Sequence, residues 1–163
     1  MRKVLITLLA ITVFGVGAAF AQSDMGVQYN TTQWAGVALG YPFQVYYGVD
    51  NAIGNNIDVR GRLSYAFWNL GIGADVLYNV TQIQGMPLTV YVGGGPNFNF
   101  GFYGVGIGIG LSALAGAEYR INDQFGAFGE LGAGYTFYLQ NPVVSYFGLG
   151  FAPRGAIGVN YHF

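Results

Sequence analysis

The sequence predicts an all-β fold: a closed antiparallel transmembrane β-barrel of about eight strands. Three observations predict it. Apolar residues alternate with small or polar ones over most of the chain, the period-two pattern of a strand whose two faces meet different surroundings. Charged residues make up 8% of the 163, whereas an ordinary soluble domain carries about 25%, so a surface facing water is hard to build. Hydrophobic residues reach 53%, which argues against disorder. Yet beyond Ala21 no stretch approaches the ~18 uninterrupted apolar residues that a membrane helix needs.

The first residues read as an export signal. Met1-Arg2-Lys3 is basic, Val4 to Val16 is almost wholly apolar, and Ala19-Phe20-Ala21 has the A-x-A form of a cleavage site, with cleavage expected before Gln22. A run of 13 residues is short for a helix crossing ~30 Å of hydrocarbon at 1.5 Å per residue. Residues 1–21 are therefore expected to be a cleaved signal peptide and 22–163 the barrel domain. That mature segment holds no Lys, and its four arginines face seven acids for a net charge of −3. There is no cysteine, so neither disulfides nor thiolate chemistry is available. Backbone hydrogen bonding in a closed sheet would hold the chain instead.

The strands follow from the alternation. From Ile57 the odd positions read Ile57, Val59, Gly61, Leu63, Tyr65, Phe67, and the even ones Asp58, Arg60, Arg62, Ser64, Ala66. The next segment sets Leu70, Ile72, Ala74, Val76 and Tyr78 against Gly71, Gly73, Asp75, Leu77 and Asn79. Val105, Ile107, Ile109 and Leu111 then alternate with four glycines, and Ile157, Val159, Tyr161 and Phe163 alternate with Ala156, Gly158, Asn160 and His162. Segments of this kind are expected near 32–41, 43–50, 57–67, 70–80, 88–95, 104–120, 125–137 and 151–163, with 22–31 a lead-in or an extension of the first. Transmembrane strands take ~9–11 residues each, so ten strands would leave almost nothing for connections.

A soluble barrel alternates too, with its apolar face inward. Here the other face is mostly Gly, Ala, Ser and Asn with a few ions. Such residues suit the interior of an eight-stranded barrel, which is just wide enough for side chains to fill. The bulky face suits lipid. Aromatic residues on that face should mark both interfaces. Tyr78, Tyr119, Phe125, Tyr161 and Phe163 fall at one end, and Tyr41, Phe43, Tyr65, Phe67, Tyr135, Phe137 and Phe151 at the other. With both termini periplasmic, Gly94–Tyr103 and Leu139–Leu149 become outer loops. Asn122-Asp123-Gln124 becomes a short periplasmic turn.

The C-terminus, Gly158-Val159-Asn160-Tyr161-His162-Phe163, resembles the assembly signal of bacterial outer-membrane barrels, with Ile157 where a polar residue is usual. That resemblance implies delivery to the barrel-assembly machinery, with Gly158, Tyr161 and Phe163 forming the signal. As an architecture the mature chain resembles the small OmpA/OmpX-like barrels, which implies a bacterial outer-membrane location with outer-membrane lipids as partners. The peptidoglycan-binding domain of two-domain members is not implied, since this sequence stops at the last strand.

Asp58, Arg60, Arg62, Asp75, Glu118, Arg120, Glu130 and Arg154 all lie on the lumen parity, four of each sign. A hairpin centred on Trp68-Asn69 would set Arg62 opposite Asp75, where cross-strand Cβ atoms lie ~5 Å apart. Buried charges must be paired or solvated, so an ion-pair network filling the lumen is the expectation. Removing Arg62 would then strand Asp75 at a cost of about 3–5 kcal/mol. The alternative is a narrow pore or gate lined by the same groups.

A lipid-modifying enzyme would need a nucleophile with its base. The single His, His162, is expected at the periplasmic rim, and Ser145 in an outer loop. No catalytic residue is therefore assigned. No His/Cys cluster suggests a metal, no cofactor is implied, and the glycine runs lack the Lys-Ser/Thr of a phosphate loop. The mature chain is not basic enough for nucleic acid. Asn97, Phe98, Phe100, Phe102 and Tyr103 remain as an outer-loop candidate surface for an unknown ligand. The same aromatics equally extend the outer girdle.

Overall fold

Eight antiparallel strands close into a barrel in which each neighbours the next in sequence and β1 pairs with β8. The computed structural model describes residues 32–67, 69–82, 86–102, 106–139 and 150–163. The expected signal peptide, the lead-in 22–31, Tyr103 and Ser145 lie outside the described residues. The strands are β1 (Gln33–Tyr41), β2 (Phe43–Gly54), β3 (Ile57–Ala66), β4 (Asn69–Gln82), β5 (Leu88–Gly101), β6 (Gly106–Arg120), β7 (Phe125–Tyr138) and β8 (Phe151–His162). Closure leaves no strand edge, and so no row of backbone donors facing lipid.

The parity expected from the sequence governs every wall. Val37 and Leu39 on β1, Val76 on β4, Leu111 on β6, Leu131 on β7 and Ile157 on β8 are exposed on the outside. Gln44, Arg60, Asp75, Tyr91, Glu130 and Asn160 are buried within. Aromatics band both ends of the outer surface. Tyr78, Tyr119, Phe125, Tyr161 and Phe163 ring the end that carries β1's start and β8's finish, here the terminal end. Tyr41, Phe43, Tyr65, Phe67, Phe98, Phe100, Tyr135, Phe137 and Phe151 ring the opposite, distal end.

Three expectations change. The β3–β4 hairpin pairs Ala66 with Asn69 and Arg60 with Asp75, a register two residues away from the one expected, so that Arg62 faces Gly73. A two-residue shift keeps every side chain on its own face, which is why the lumen assignment survives it. The stretch beyond Gly94, expected as a loop, is strand as far as Gly101. The prolyl residue that suggested a loop faces outward: the β4–β5 ladder skips from Gly73↔Asn97 to Val76↔Gly94, with no bridge at Pro96. Finally, β2 continues past Asp50 to Gly54, with an irregularity between Val49 and Gly54. Asn51 and Asn56 there take φ of 54° and 69°, left-handed values that Asn tolerates.

The turn from β6 to β7 is short, as expected. Asn122 Oδ1 accepts from the backbone N–H groups of Gln124 (2.9 Å) and Phe125 (2.8 Å), an Asx turn that reverses the chain locally.

Candidate functional site

The lumen is not uniform. A layer of ion pairs crosses it, with a vestibule on each side.

The layer is built by β3, β4 and β7. Arg60, 2% exposed, donates from Nε to Asp75 Oδ2 at 3.0 Å and from Nη2 to Glu130 Oε2 at 3.0 Å. Its Nη1 also bonds Glu130 Oε1, completing a two-pronged fork on that carboxylate. Arg62 Nη1 reaches both oxygens of Asp75, at 2.7 and 2.6 Å, by leaning along the strand from its place opposite Gly73. A Cβ at Gly73 would lie 2.7 Å from Arg62 Nη2, so glycine is what lets the guanidinium cross there. Tyr91 Oη donates to Glu130 Oε1 at 2.8 Å. The Arg60 guanidinium carbon stands 4.3 Å from the Tyr46 ring centroid, and Tyr46 meets Phe128 edge-on at 5.7 Å. Two arginines thus face two carboxylates, all deeply buried.

The pairing expected between Arg62 and Asp75 is present, but Asp75 is shared. Arg60, not Arg62, is its cross-strand neighbour. Loss of Arg62 would therefore leave Asp75 with a partner, which corrects the penalty anticipated from sequence.

At the terminal end lies a second cluster. Asp58 accepts from the backbone N–H of Asn51 and from Asn79 Nδ2, both at 2.8 Å. Glu118 accepts from Asn160 Nδ2 at 2.9 Å, lies 2.8 Å from His162 Nε2, and takes an ion pair from Arg120 Nε at 3.2 Å. Arg120 Nη2 also reaches Asp50 Oδ2 at 3.4 Å. This group borders a cavity of about 420 Å³. His162, expected at the rim, is 3% exposed inside the barrel; the even parity of β8 turns it inward. Asp50 is a lumen residue that sequence reasoning missed. It continues the even series Gln44, Tyr46, Gly48 of β2, so the signal was there, but the strand was expected to stop at it.

The distal vestibule, of about 580 Å³, is lined by Arg62, Arg154, Asn97, Asn99, Ser112 and Thr136 among others. Asn97 and Asn99 donate to Thr136 Oγ1 at 3.3 and 3.0 Å. Among the described residues Arg154 makes no ion pair with the other seven charges of the expected network, and its Nη2 donates to Gln44 Oε1 at 2.7 Å.

Of the five residues expected as one outer-loop surface, the four that are described divide between two faces. Asn97 points into the lumen, while Phe98 and Phe100 face outward on β5 and Phe102 follows at its end. Of the residues expected to form an assembly signal, Tyr161 and Phe163 are exposed on the outer wall with ring centroids 6.0 Å apart. Gly158 faces inward, where a Cβ would lie 2.6 Å from the Phe128 ring. Among the described residues no group of three or more His, Cys, Asp or Glu side chains is placed to hold a metal, and no helix is long and apolar enough to cross a membrane.

This architecture is that of a closed eight-stranded transmembrane β-barrel of the outer-membrane type. It matches the neisserial surface protein A barrel at TM-score 0.54 and 15% identity, over 82% of this chain and 94% of that one. The N-terminal β-barrel domain of Pseudomonas aeruginosa OprF matches at TM-score 0.52 and 13% identity, over 82% and 96% of the two chains. A de novo designed transmembrane β-barrel matches at TM-score 0.50 and 21% identity, over 83% and 98%. At such identities the likeness is one of fold. No protein-family model and no curated protein matches the chain.

Proposed function

We propose that this protein is a non-enzymatic bacterial outer-membrane barrel, sealed across its lumen, with a structural or surface-interaction role. The observation that carries the reading is the layer formed by Arg60, Arg62, Asp75 and Glu130, none of them more than 6% exposed. A hydrated path along the axis would have to pass these side chains. Each holds its partner by charge-assisted hydrogen bonds, about twice as strong as neutral ones.

Other features support the location and the absence of catalysis. The two aromatic bands fit the interfacial girdles of membrane barrels, and the outward Phe98, Phe100 and Phe102 fit the distal girdle against lipid headgroups. Tyr161 and Phe163, free on the outer wall, are accessible to the barrel-assembly machinery. The described serines, Ser64 and Ser112, line the distal vestibule, whereas His162 belongs to the terminal cluster, so they do not form a nucleophile–base pair.

Purified mature protein in a planar lipid bilayer tests the seal. The expected record has no steady unitary current. Stable single-channel steps from the folded barrel would replace this reading with that of a narrow channel, for which the two vestibules provide the mouths.

A further inference from the structure

Among the described residues no carboxylate forms an ion pair with Arg154. The two acids of the central layer, Asp75 and Glu130, are both held by Arg60 and Arg62. Nothing nearer the distal end can replace them: the sequence has no Asp or Glu from 59 to 74, from 76 to 117 or after 130. Those stretches include every distal connection of β3 to β8, and the segment from Thr32 to Val49, which holds the β1–β2 connection, is equally free of acid. From the central layer outward the barrel thus has three arginines against two carboxylates. Among the described residues the cation left without an ion-pair partner there is Arg154, at the wall of the distal vestibule.

Its hydrogen bonding points the same way. Nη2 donates to the neutral Gln44 Oε1 at 2.7 Å, while Nη1 is buried without any partner. A buried guanidinium nitrogen lacking an acceptor carries the full desolvation penalty of a charged donor. Close by, the Oη of buried Tyr46 has no partner either. Elsewhere the vestibule changes character: the buried side chains of Ala66 and Tyr138 contribute apolar wall.

We propose that the distal vestibule binds a small organic monocarboxylate, its charged head taken by Arg154 and its carbon skeleton laid against Ala66 and Tyr138. One negative charge balances the outer lumen. A planar carboxylate matches the guanidinium fork, and about 580 Å³ lies within the usual range for small-molecule sites. Nη1 is covered in the present rotamer, so binding turns the guanidinium about its own side chain, against the one hydrogen bond to Gln44. The site lies on the distal side of the ion-pair layer, and its occupation leaves that layer intact.

Equilibrium dialysis of the mature barrel in a non-ionic detergent, with radiolabelled benzoate as the probe, tests the proposal. Benzoate should bind saturably at one site per barrel, and binding should weaken as sodium chloride is raised. Benzamide, of the same shape but uncharged, should bind roughly ten- to a hundredfold more weakly, the worth of a charge-assisted contact. Inorganic phosphate, without a carbon skeleton, should also be weaker than benzoate. Arg154→Gln should weaken benzoate by the same factor and Arg154→Lys by less, while Arg120→Gln at the terminal end should leave it unchanged. Absence of saturable binding, equal affinity for benzamide, or phosphate binding as tightly as benzoate would overturn the proposal. The benzamide comparison uses the unaltered protein and holds even if Arg154→Gln does not fold. Benzoate affinity unchanged in a folded Arg154→Gln barrel would overturn it as well.

Discussion

Arg60 is the hub of the lumen, and its removal should be the costliest single change in the barrel. Arg60→Met keeps an unbranched side chain but takes the guanidinium from two carboxylates and from the Tyr46 ring at once. The two losses are unequal. Asp75 retains Arg62 at 2.6 and 2.7 Å, whereas Glu130 retains only the hydroxyl of Tyr91. Glu130, 6% exposed, becomes a buried carboxylate without a cation, a situation that costs about 3–5 kcal/mol. Arg62→Met is milder, because Arg60 still serves both acids. The loss there is a charge-assisted hydrogen-bonded contact worth roughly 1.5–3 kcal/mol. The double variant Arg60→Met with Glu130→Gln removes the pair together, and burial of a balanced apolar and amide surface is often nearly neutral. It should recover most of the single variant's loss. Urea unfolding in lipid vesicles, followed by the fluorescence of lumen-buried Trp34 (4% exposed), measures all three. The reasoning fails if Arg62→Met costs as much as Arg60→Met, or if the double variant is no more stable than Arg60→Met alone.

Four further outcomes follow from the two walls. Gly116 faces the lumen beneath Tyr91, where an added Cβ would lie 2.7 Å from the ring; Gly116→Ala should destabilise by about 1–3 kcal/mol through overpacking. Gly129→Ala, whose Cβ would meet only Ile157 Cγ2 at 4.0 Å, should stay within about 0.5 kcal/mol of the parent in the same unfolding assay. Leu131, midway along β7 and 74% exposed, should cost about 2–4 kcal/mol when replaced by Arg if that wall meets the bilayer midplane; a neutral result in vesicles would place the wall in water. Truncating Phe163 to Ala should slow folding catalysed by the assembly machinery in proteoliposomes more than spontaneous folding into thin bilayers, and equal slowing would reduce Phe163 to a packing residue.

The wall was legible because one physical rule governs it throughout. A barrel residue faces either lipid or lumen, and period two survives bulges, glycines and even a proline. Register was less legible. In the sequence Phe67 and Trp68 separate β3 from β4, without the Asn-Gly or Gly that fixes a hairpin turn. Pairing two residues away was therefore equally consistent with the pattern. Because that shift preserves parity, it exchanged Arg62 for Arg60 opposite Asp75 without moving either out of the lumen. The distal half of β5 was illegible for a different reason. Gly93-Gly94-Gly95-Pro96 reads as a turn on local propensity, but its neighbours β4 and β6 are long enough to pair with it. The outward position of Pro96, with no bridge to β4 there, leaves that ladder with no donor to lose.

The charges show where parity stops informing. Eight ions of balanced sign on one face suggested a single cancelling network, but their height along the barrel was not in the alternation. With the strands aligned, Asp50, Asp58 and Glu118 gather toward the terminal end with Arg120, while Arg154 stands toward the distal end with no acid. Only the central four cancel locally. The central four neutralise one another by direct contact, so the residual charge of the lumen sits on either side of them. On the proposed reading of a sealed lumen, the layer of Arg60, Arg62, Asp75 and Glu130 separates an acidic vestibule on one side from a cationic one on the other. Opening it by substitution would join two oppositely charged compartments, and an ion entering from either end would meet a barrier at the other. A sealed barrel gains from that arrangement; a channel of high throughput would not.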